Sequence, residues 1–282
     1  MNFICLNGEI LPKKHAHLDF NNRAFRYGDA IVEQMRTTGI RVPFFDEHFS
    51  RLVRGLGVLE LSHTFSFSKA ELLRSIELLI HRNKLYNINK VTLTVWRADD
   101  DVFLSSKPEI NYLIEAEPLV EKEFLLNEKG LTIDVFKGAY KSLSYLSSYI
   151  TNNQTFNYLS KRYAQINKLD TCLILNPESK VVEADEGNIF YVNGKTIYTP
   201  SLSSGCVDGV MRRKVLEIAE EKDYIIAETD PLPISFILEI DEIFITNDIY
   251  GIRWVGGYST TKRYRKRVCV DLVHSLNQIF LK

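Results

Sequence analysis

Two Asn-Gly dipeptides, Asn7-Gly8 and Asn193-Gly194, constrain the fold of this chain more than any other local feature. Each stands between short apolar runs rich in β-branched or aromatic residues. Asn-Gly is the strongest two-residue hairpin signal, because both central positions of the tightest turn need positive φ. The first predicts a hairpin between Phe3-Ile-Cys-Leu and Glu9-Ile-Leu, and the second joins strands at 189–192 and 196–198. Residues 26–45 read as strand broken at Gly28 and Gly39, and further strands are expected at 90–97, 110–117, 171–176 and 241–247. An acidic turn, Asp99-Asp100-Asp101, separates the 90–97 and 110–117 strands.

Helical spacing interrupts the strands. Phe49, Leu52, Leu56 and Leu59 share one face after Asp46, and Leu72, Ile76, Leu79 and Ile80 share another within 68–85. The latter opens on Ser68-x-x-Glu71, a capping box in which side chain and backbone satisfy each other's donors. A long helix is expected after Lys141, with others near Val210–Glu221 and 264–281. The charged, proline-started stretch 118–123 is weakly patterned and reads as a linker. It suggests domains at 1–117 and 125–282, joined through 118–124.

Composition narrows the function classes. The 282 residues suffice for two compact domains, and a net charge of -1 gives no general attraction to nucleic acid or an anionic membrane. No apolar run approaches the ~18–20 residues that span a bilayer, and the first residues lack the regions of a signal peptide. Cys5, Cys172, Cys206 and Cys269 are scattered, which suits reduced thiols in the cytoplasm. Neither they nor the histidines show metal-ligand spacing, so no metal is expected. The basic run 262–267 reads as the solvated face of the last helix.

Three segments carry chemistry. Lys141 sits in an uncharged stretch with Leu143, Tyr145, Leu146, Tyr149 and Ile150, whereas its neighbour Lys137 precedes Gly138 and lacks such a run. Glu183 ends a strand and precedes Ala-Asp-Glu-Gly-Asn, a turn composition in which Asp185 and Glu186 read as solvated carboxylates. Gly205 to Gly209 leads into a helix near Val210, and a helix N-terminus offers free N–H groups to an anion, although such glycines also make plain turns. An amine, a carboxylate and an anion seat are what an aromatic aldehyde phosphate requires. Four serines near Lys141 have no paired histidine, which speaks against a serine hydrolase.

In order and spacing these residues resemble the fold-type IV pyridoxal-phosphate enzymes, which include branched-chain aminotransferases, D-amino-acid aminotransferases and aminodeoxychorismate lyases. The resemblance runs from Leu6-Asn-Gly8 through Arg26-Tyr-Gly-Asp-Ala-Ile-Val-Glu33, Phe45-Asp-Glu-His-Phe-Ser-Arg-Leu52 and the three segments above to Ile245-Thr-Asn-Asp-Ile-Tyr-Gly-Ile252. It implies a two-domain α/β (α+β) fold with a smaller N-terminal domain and a larger C-terminal pseudo-barrel domain. It also implies a homodimer, with pyridoxal 5'-phosphate in the cleft between the domains. Lys141 is then the Schiff-base lysine and proton shuttle, Glu183 the partner of the ring nitrogen, and Tyr145 the partner of the phenolic oxygen. Arg51 binds the phosphate, helped by Gly209, Val210, Met211, Asn247 and Asp248.

Met211 stands where several aminotransferases have threonine and is similar to a lyase pattern, Gly-Ile-Met-Arg. Trp254 stands where a proline is common. Arg97, and after it Arg26 and Arg36, are the substrate-carboxylate candidates, with salt-bridged surface arginines as the alternative. The acidic stretch from Asp99 replaces a second arginine and a glycine-rich turn common in the lyases, which weighs against that activity. The implied function is a transaminase between an amino acid and a 2-oxo acid. The alternatives are aminodeoxychorismate lyase, and a binding protein that kept the fold without turnover.

Overall fold

The computed structural model describes residues 2–61, 67–98 and 109–281. The acidic turn expected at Asp99-Asp100-Asp101 lies outside them. The chain divides into two compact units, Met1–Lys122 with Tyr149–Asn153, and Glu123–Ser148 with Gln154–Lys282.

The first unit contains β1 (Phe3–Leu6), β2 (Glu9–Pro12), α1 (Arg23–Tyr27), β3 (Ala30–Thr38), α2 (Phe45–Val58), α3 (Lys69–Arg82), β4 (Ile88–Arg97) and β5 (Ile110–Pro118). Its sheet has the order β2-β1-β5-β4-β3. Leu6 faces Glu9 across the first turn, and Asn7 (φ 51°) and Gly8 (φ 87°) both take the positive φ that the dipeptide predicts. Ser68 Oγ accepts from Glu71 N at 3.2 Å while Ser68 N donates to Glu71 Oε2 at 2.6 Å, closing the capping box of α3. Leu52 and Leu56 of α2, with Leu72, Ile76, Leu79 and Ile80 of α3, join Val91, Leu93 and Ile114 in one apolar core. Each such side chain contributes about 1.5–3 kcal/mol by leaving water. The 26–45 stretch is more divided than its pattern predicts: α1 closes on Gly28 (φ 69°), and β3 starts two residues later. Residues 149–153 return to this unit, where Val32 N donates to Ile150 O (2.8 Å) and Asn152 N to Ala30 O (3.1 Å).

The second unit contains β6 (Leu131–Val135), α4 (Thr155–Ile166), β7 (Thr171–Leu175), β8 (Lys180–Ala184), β9 (Asn188–Asn193), β10 (Thr196–Pro200), α5 (Val210–Glu221) and β11 (Ile225–Thr229). Next come β12 (Leu232–Pro233), α6 (Ile234–Ile237), β13 (Glu242–Asn247), β14 (Gly251–Tyr258), β15 (Lys262–Arg263) and α7 (Val268–Phe280). One mixed sheet runs β11-β10-β9-β13-β14-β6-β7-β8-β12, with β15 beside β14. Leu131, Ile133, Leu173, Ile189, Ile243 and Val255 meet in its core. The architecture is the mixed α/β fold that the resemblance implies.

Three local expectations are corrected. The β9–β10 turn falls one residue late: Asn193 pairs with Thr196, so Gly194 (φ 58°) and Lys195 are the loop residues. No helix follows Lys141 directly. A short 3-10 turn at Tyr145–Ser148 comes first, and α4 starts only at Thr155, because residues 149–153 are committed to pairing in the first unit. The basic run 262–267 is not on a helix. It begins in β15 and ends where Glu242 accepts from Arg267 N and from Val268 N and Cys269 N of α7, at 2.7–2.9 Å.

Candidate functional site

The strand pair β7–β8 brings the amine to the carboxylate. Ile174 on β7 faces Glu183 on β8, and Lys141 N donates to the next carbonyl, Leu175 O, at 2.8 Å. Lys141 is thereby fixed beside Glu183, and Lys141 Nζ donates to Glu183 Oε1 at 2.6 Å. Their side chains are 16% and 11% exposed, so the pair is shielded but still open to water. The second oxygen, Oε2, accepts from Val207 N at 3.0 Å. Glu183 thus links the lysine to the loop that starts α5.

That loop is tightly held. Asn188 Nδ2 donates to Val207 O at 2.7 Å, and Asp208 N donates to Ser148 O at 3.0 Å. Gly205 lies at φ 90°, a left-handed conformation that disfavours any side chain. A Cβ on Gly209 would collide with Asn188 Oδ1. Buried Arg212 anchors the first turn of α5, donating to Pro200 O (2.8 Å) and to Glu228 Oε2 (2.6 Å). The N-cap residue is Gly209, which has no side chain to cap the helix. The acceptor comes instead from the loop after β13: Asp248 Oδ1 accepts from Met211 N at 2.7 Å.

The side chains of Asn247 and Asp248 thus bind groups of the protein itself. Asn247 braces its own loop, its Oδ1 accepting from Ile249 N (3.0 Å) and Tyr250 N (2.8 Å) and its Nδ2 donating to Glu186 O (3.0 Å). Gly187 packs so closely on Thr246 O that a side chain there would collide. Asp185 and Glu186 are not the solvated carboxylates expected. Asp185 accepts from the Thr171 hydroxyl, and Glu186 Oε2 pairs with Arg253 Nη1 at 2.5 Å. Burial raises both carboxyls above the usual range, against the opposing pull of those partners. Their turn composition hid this, because the partners sit on β7 and β14, far away in sequence. Tyr145 is not drawn into the Lys141 network; it is 89% exposed in its 3-10 turn.

The remaining candidates lie in the first unit, where each has an assigned role. Arg51 on α2 is fully buried and grips Glu33 of β3 with two bonds, Nε to Oε1 at 2.8 Å and Nη2 to Oε2 at 2.7 Å. His48, one turn earlier on α2, adds Nδ1 to Glu33 Oε2 at 3.1 Å. Burial opposes the charge on Glu33, yet Arg51 and His48 together hold its carboxyl below the usual range. Neither Glu33 nor His48 was singled out from the sequence; the spacing of His48 and Arg51 on one helix face was the available signal. Arg36 is buried and donates to Glu121 O at 2.7 Å, and Arg97 donates to Leu59 O at 2.8 Å. Arg26 Nη1 donates to Asn21 Oδ1 at 2.9 Å, and its guanidinium lies 5.4 Å from the Tyr27 ring centre.

Among the described residues no group of three His, Cys, Asp or Glu side chains is placed to hold a metal ion, and no helix is long and apolar enough to cross a membrane. Chemically, the second unit offers an amine paired with an anchored carboxylate, and a helix terminus that already binds a carboxylate oxygen.

The chain is similar to several known proteins. A probable branched-chain-amino-acid aminotransferase of Rickettsia bellii is 26% identical over 219 residues, covering 77% of this chain and 74% of that protein. The aminodeoxychorismate lyase of Bacillus subtilis is 25% identical over 252 residues, covering 88% and 84%. Among solved structures, the branched-chain amino acid aminotransferase of Thermobaculum terrenum in its PLP form superposes with a TM-score of 0.84 at 17% identity, covering 99% of this chain and 94% of that one. The family model described as amino-transferase class IV matches residues 30–256, and the chain belongs to that family.

Proposed function

We propose that the protein is a pyridoxal-phosphate-dependent transaminase that moves an amino group between an amino acid and a 2-oxo acid. The observation that carries this reading is the 2.6 Å contact of Lys141 Nζ with Glu183, whose other oxygen is tied to the loop that opens α5. The donor set suits the cofactor. Lys141 is the amine for its aldehyde, and Glu183 is the carboxylate for its ring nitrogen. The α5 terminus, where Met211 N already binds a carboxylate oxygen, is a seat for its phosphate. When bound, the cofactor supplies an electron sink for the charge left on the substrate α-carbon.

The protein's part follows from its own groups. Lys141 would meet the aldehyde and Glu183 the ring nitrogen, so cofactor binding would part their ion pair. Glu183, anchored through Val207 N, keeps its charge aimed at the ring nitrogen. Lys141, once released to the amino substrate, is the base that takes the proton from the α-carbon and returns it one position along. Arg51, Arg97, Arg26 and Arg36 stay candidates for anionic groups, Arg51 for phosphate and the others for the substrate carboxylate. The homodimer belongs to the same proposal, and sedimentation at micromolar concentration checks it.

Aminodeoxychorismate lyase is the second reading, supported by the Bacillus subtilis relative and by Met211. A panel of half-reactions separates the two. Protein loaded with pyridoxal phosphate is mixed with L-amino acids, D-amino acids or aminodeoxychorismate. Pyridoxamine phosphate from an amino acid supports the transaminase. Pyruvate and p-aminobenzoate without pyridoxamine phosphate would replace it with the lyase.

A further inference from the structure

The seat for a phosphate at the start of α5 already holds an anion of the protein's own. Asp248 Oδ1 accepts from Met211 N, the second residue of the helix, at 2.7 Å. Two features make this contact part of the fold. First, the N-cap residue of α5, Gly209, has no side chain, and no acidic residue stands in the first turn. A carboxylate here satisfies a helix donor and meets the positive end of the dipole, so it stabilises the cofactor-free protein. Second, the Asp248 loop is braced on both sides. Asn247 Oδ1 accepts from Ile249 N and Tyr250 N, Asn247 Nδ2 donates to Glu186 O, and Gly187 is pressed against Thr246 O.

We propose that Asp248 sets the affinity for the phosphate end of the cofactor, acting as an internal anion that a phosphate monoester has to displace from Met211 N. This rests on the reading of the α5 terminus as the phosphate seat. Two negative groups cannot share one N–H at hydrogen-bond distance without strong repulsion. Phosphate binding therefore breaks the Asp248–Met211 bond and forces the carboxylate away from the helix end. The apparent affinity falls by the stability of that bond, as for any ligand whose competent state is not the resting one. Asp208 adds a second carboxylate before the helix, and Arg213 Nε stands 3.4 Å from it, so that cation is matched locally.

The test compares wild type with Asp248→Asn, which keeps an oxygen for Met211 N and removes only the charge. Three probes are titrated into each cofactor-free protein: inorganic phosphate, pyridoxal phosphate and pyridoxal without phosphate. Melting temperature reads all three, and the visible absorbance band reads the two aldehydes. The proposal predicts that Asp248→Asn binds inorganic phosphate and pyridoxal phosphate roughly tenfold more tightly, while pyridoxal affinity stays the same. Unchanged or weaker binding of the two phosphate probes would overturn it. So would equal tightening of pyridoxal, which places the effect away from the phosphate. If Asp248→Asn does not fold, Asp248→Ser is read by the same criteria. The two readings fail separately. A Lys141-dependent band with no change in phosphate affinity sinks the role of Asp248 alone. Tighter inorganic phosphate with no band in either protein supports that role and sinks the Schiff-base chemistry.

Discussion

Glu33 and Glu183 each sit on a strand and meet basic side chains, but the two pairings are built differently. Glu33 receives two bonds from Arg51 and one from His48, and all three groups are buried. Glu183 receives one bond from Lys141 and one from Val207 N, at a place where both side chains keep some exposure. A guanidinium keeps its charge and its planar fork at every working pH, so Arg51 stays a cation beside Glu33. The Lys141 ammonium makes a single contact with Glu183. The first arrangement fixes a guanidinium by two bonds, and the second leaves an amine with one.

The largest expected effect separates these roles most sharply. Lys141→Ala should lower turnover by at least ~10³-fold, as removal of a covalent nucleophile does, and should abolish the visible band of the loaded protein. Lys141→Arg keeps a cation beside Glu183 and should lose turnover equally while melting close to wild type. A Lys141→Arg protein that still turns over would break the comparison, because it would show that only the charge matters there.

Next in size is the fixed cluster. Glu33→Gln leaves Arg51 buried without its counter-charge and should cost about 3–5 kcal/mol, measured as a shift in the urea midpoint. Glu183→Gln should cost only about 1–2 kcal/mol, since Lys141 can turn toward water, yet should lower turnover by about 10²-fold. If Glu183→Gln proves the more destabilising of the two, the contrast between fixed and movable pairs is wrong.

The smallest effect is in the pH dependence. Arg51 and His48 outweigh burial and depress the Glu33 carboxyl, so its stabilising contribution is complete above the ordinary glutamate value of about 4.3 and is lost as pH falls through its lower folded value. Asp185 and Glu186 have the opposite sign. Burial raises their folded values, so they oppose folding at neutral pH, and that opposition is relieved on acidification through the raised values. Melting curves from pH 7 to 3 should therefore show an acid loss in wild type that is shallower in Glu33→Gln. Identical acid limbs would remove Glu33 as their source.

Much of the fold was legible where local chemistry decides it. The Asn7-Gly8 turn and the Ser68–Glu71 capping box each depend on residues within four positions of one another, and both are seen as expected. Signals that depend on distant partners were misread. The stretch 149–153 follows an apolar run that resembles a helix start, but its backbone pairs with Ala30 and Val32. Asp185 and Glu186 look like turn residues because Thr171 and Arg253 lie elsewhere in the sequence. The same holds at the site. Lys141 and Glu183 are expected together from the order of motifs, and their contact follows from β7–β8 register. The placement of the Asp248 carboxylate on Met211 N could not be read from sequence, since it needs two loops brought together by β9 and β13.

One measurement tests the central claim most directly. The protein is loaded with pyridoxal phosphate, reduced with borohydride, digested and mapped by mass spectrometry. The account predicts one phosphopyridoxyl group, on the peptide containing Lys141, which is absent from Lys141→Ala. A label on Lys137 or another lysine with Lys141 unmodified, or no label at saturating cofactor, would contradict it.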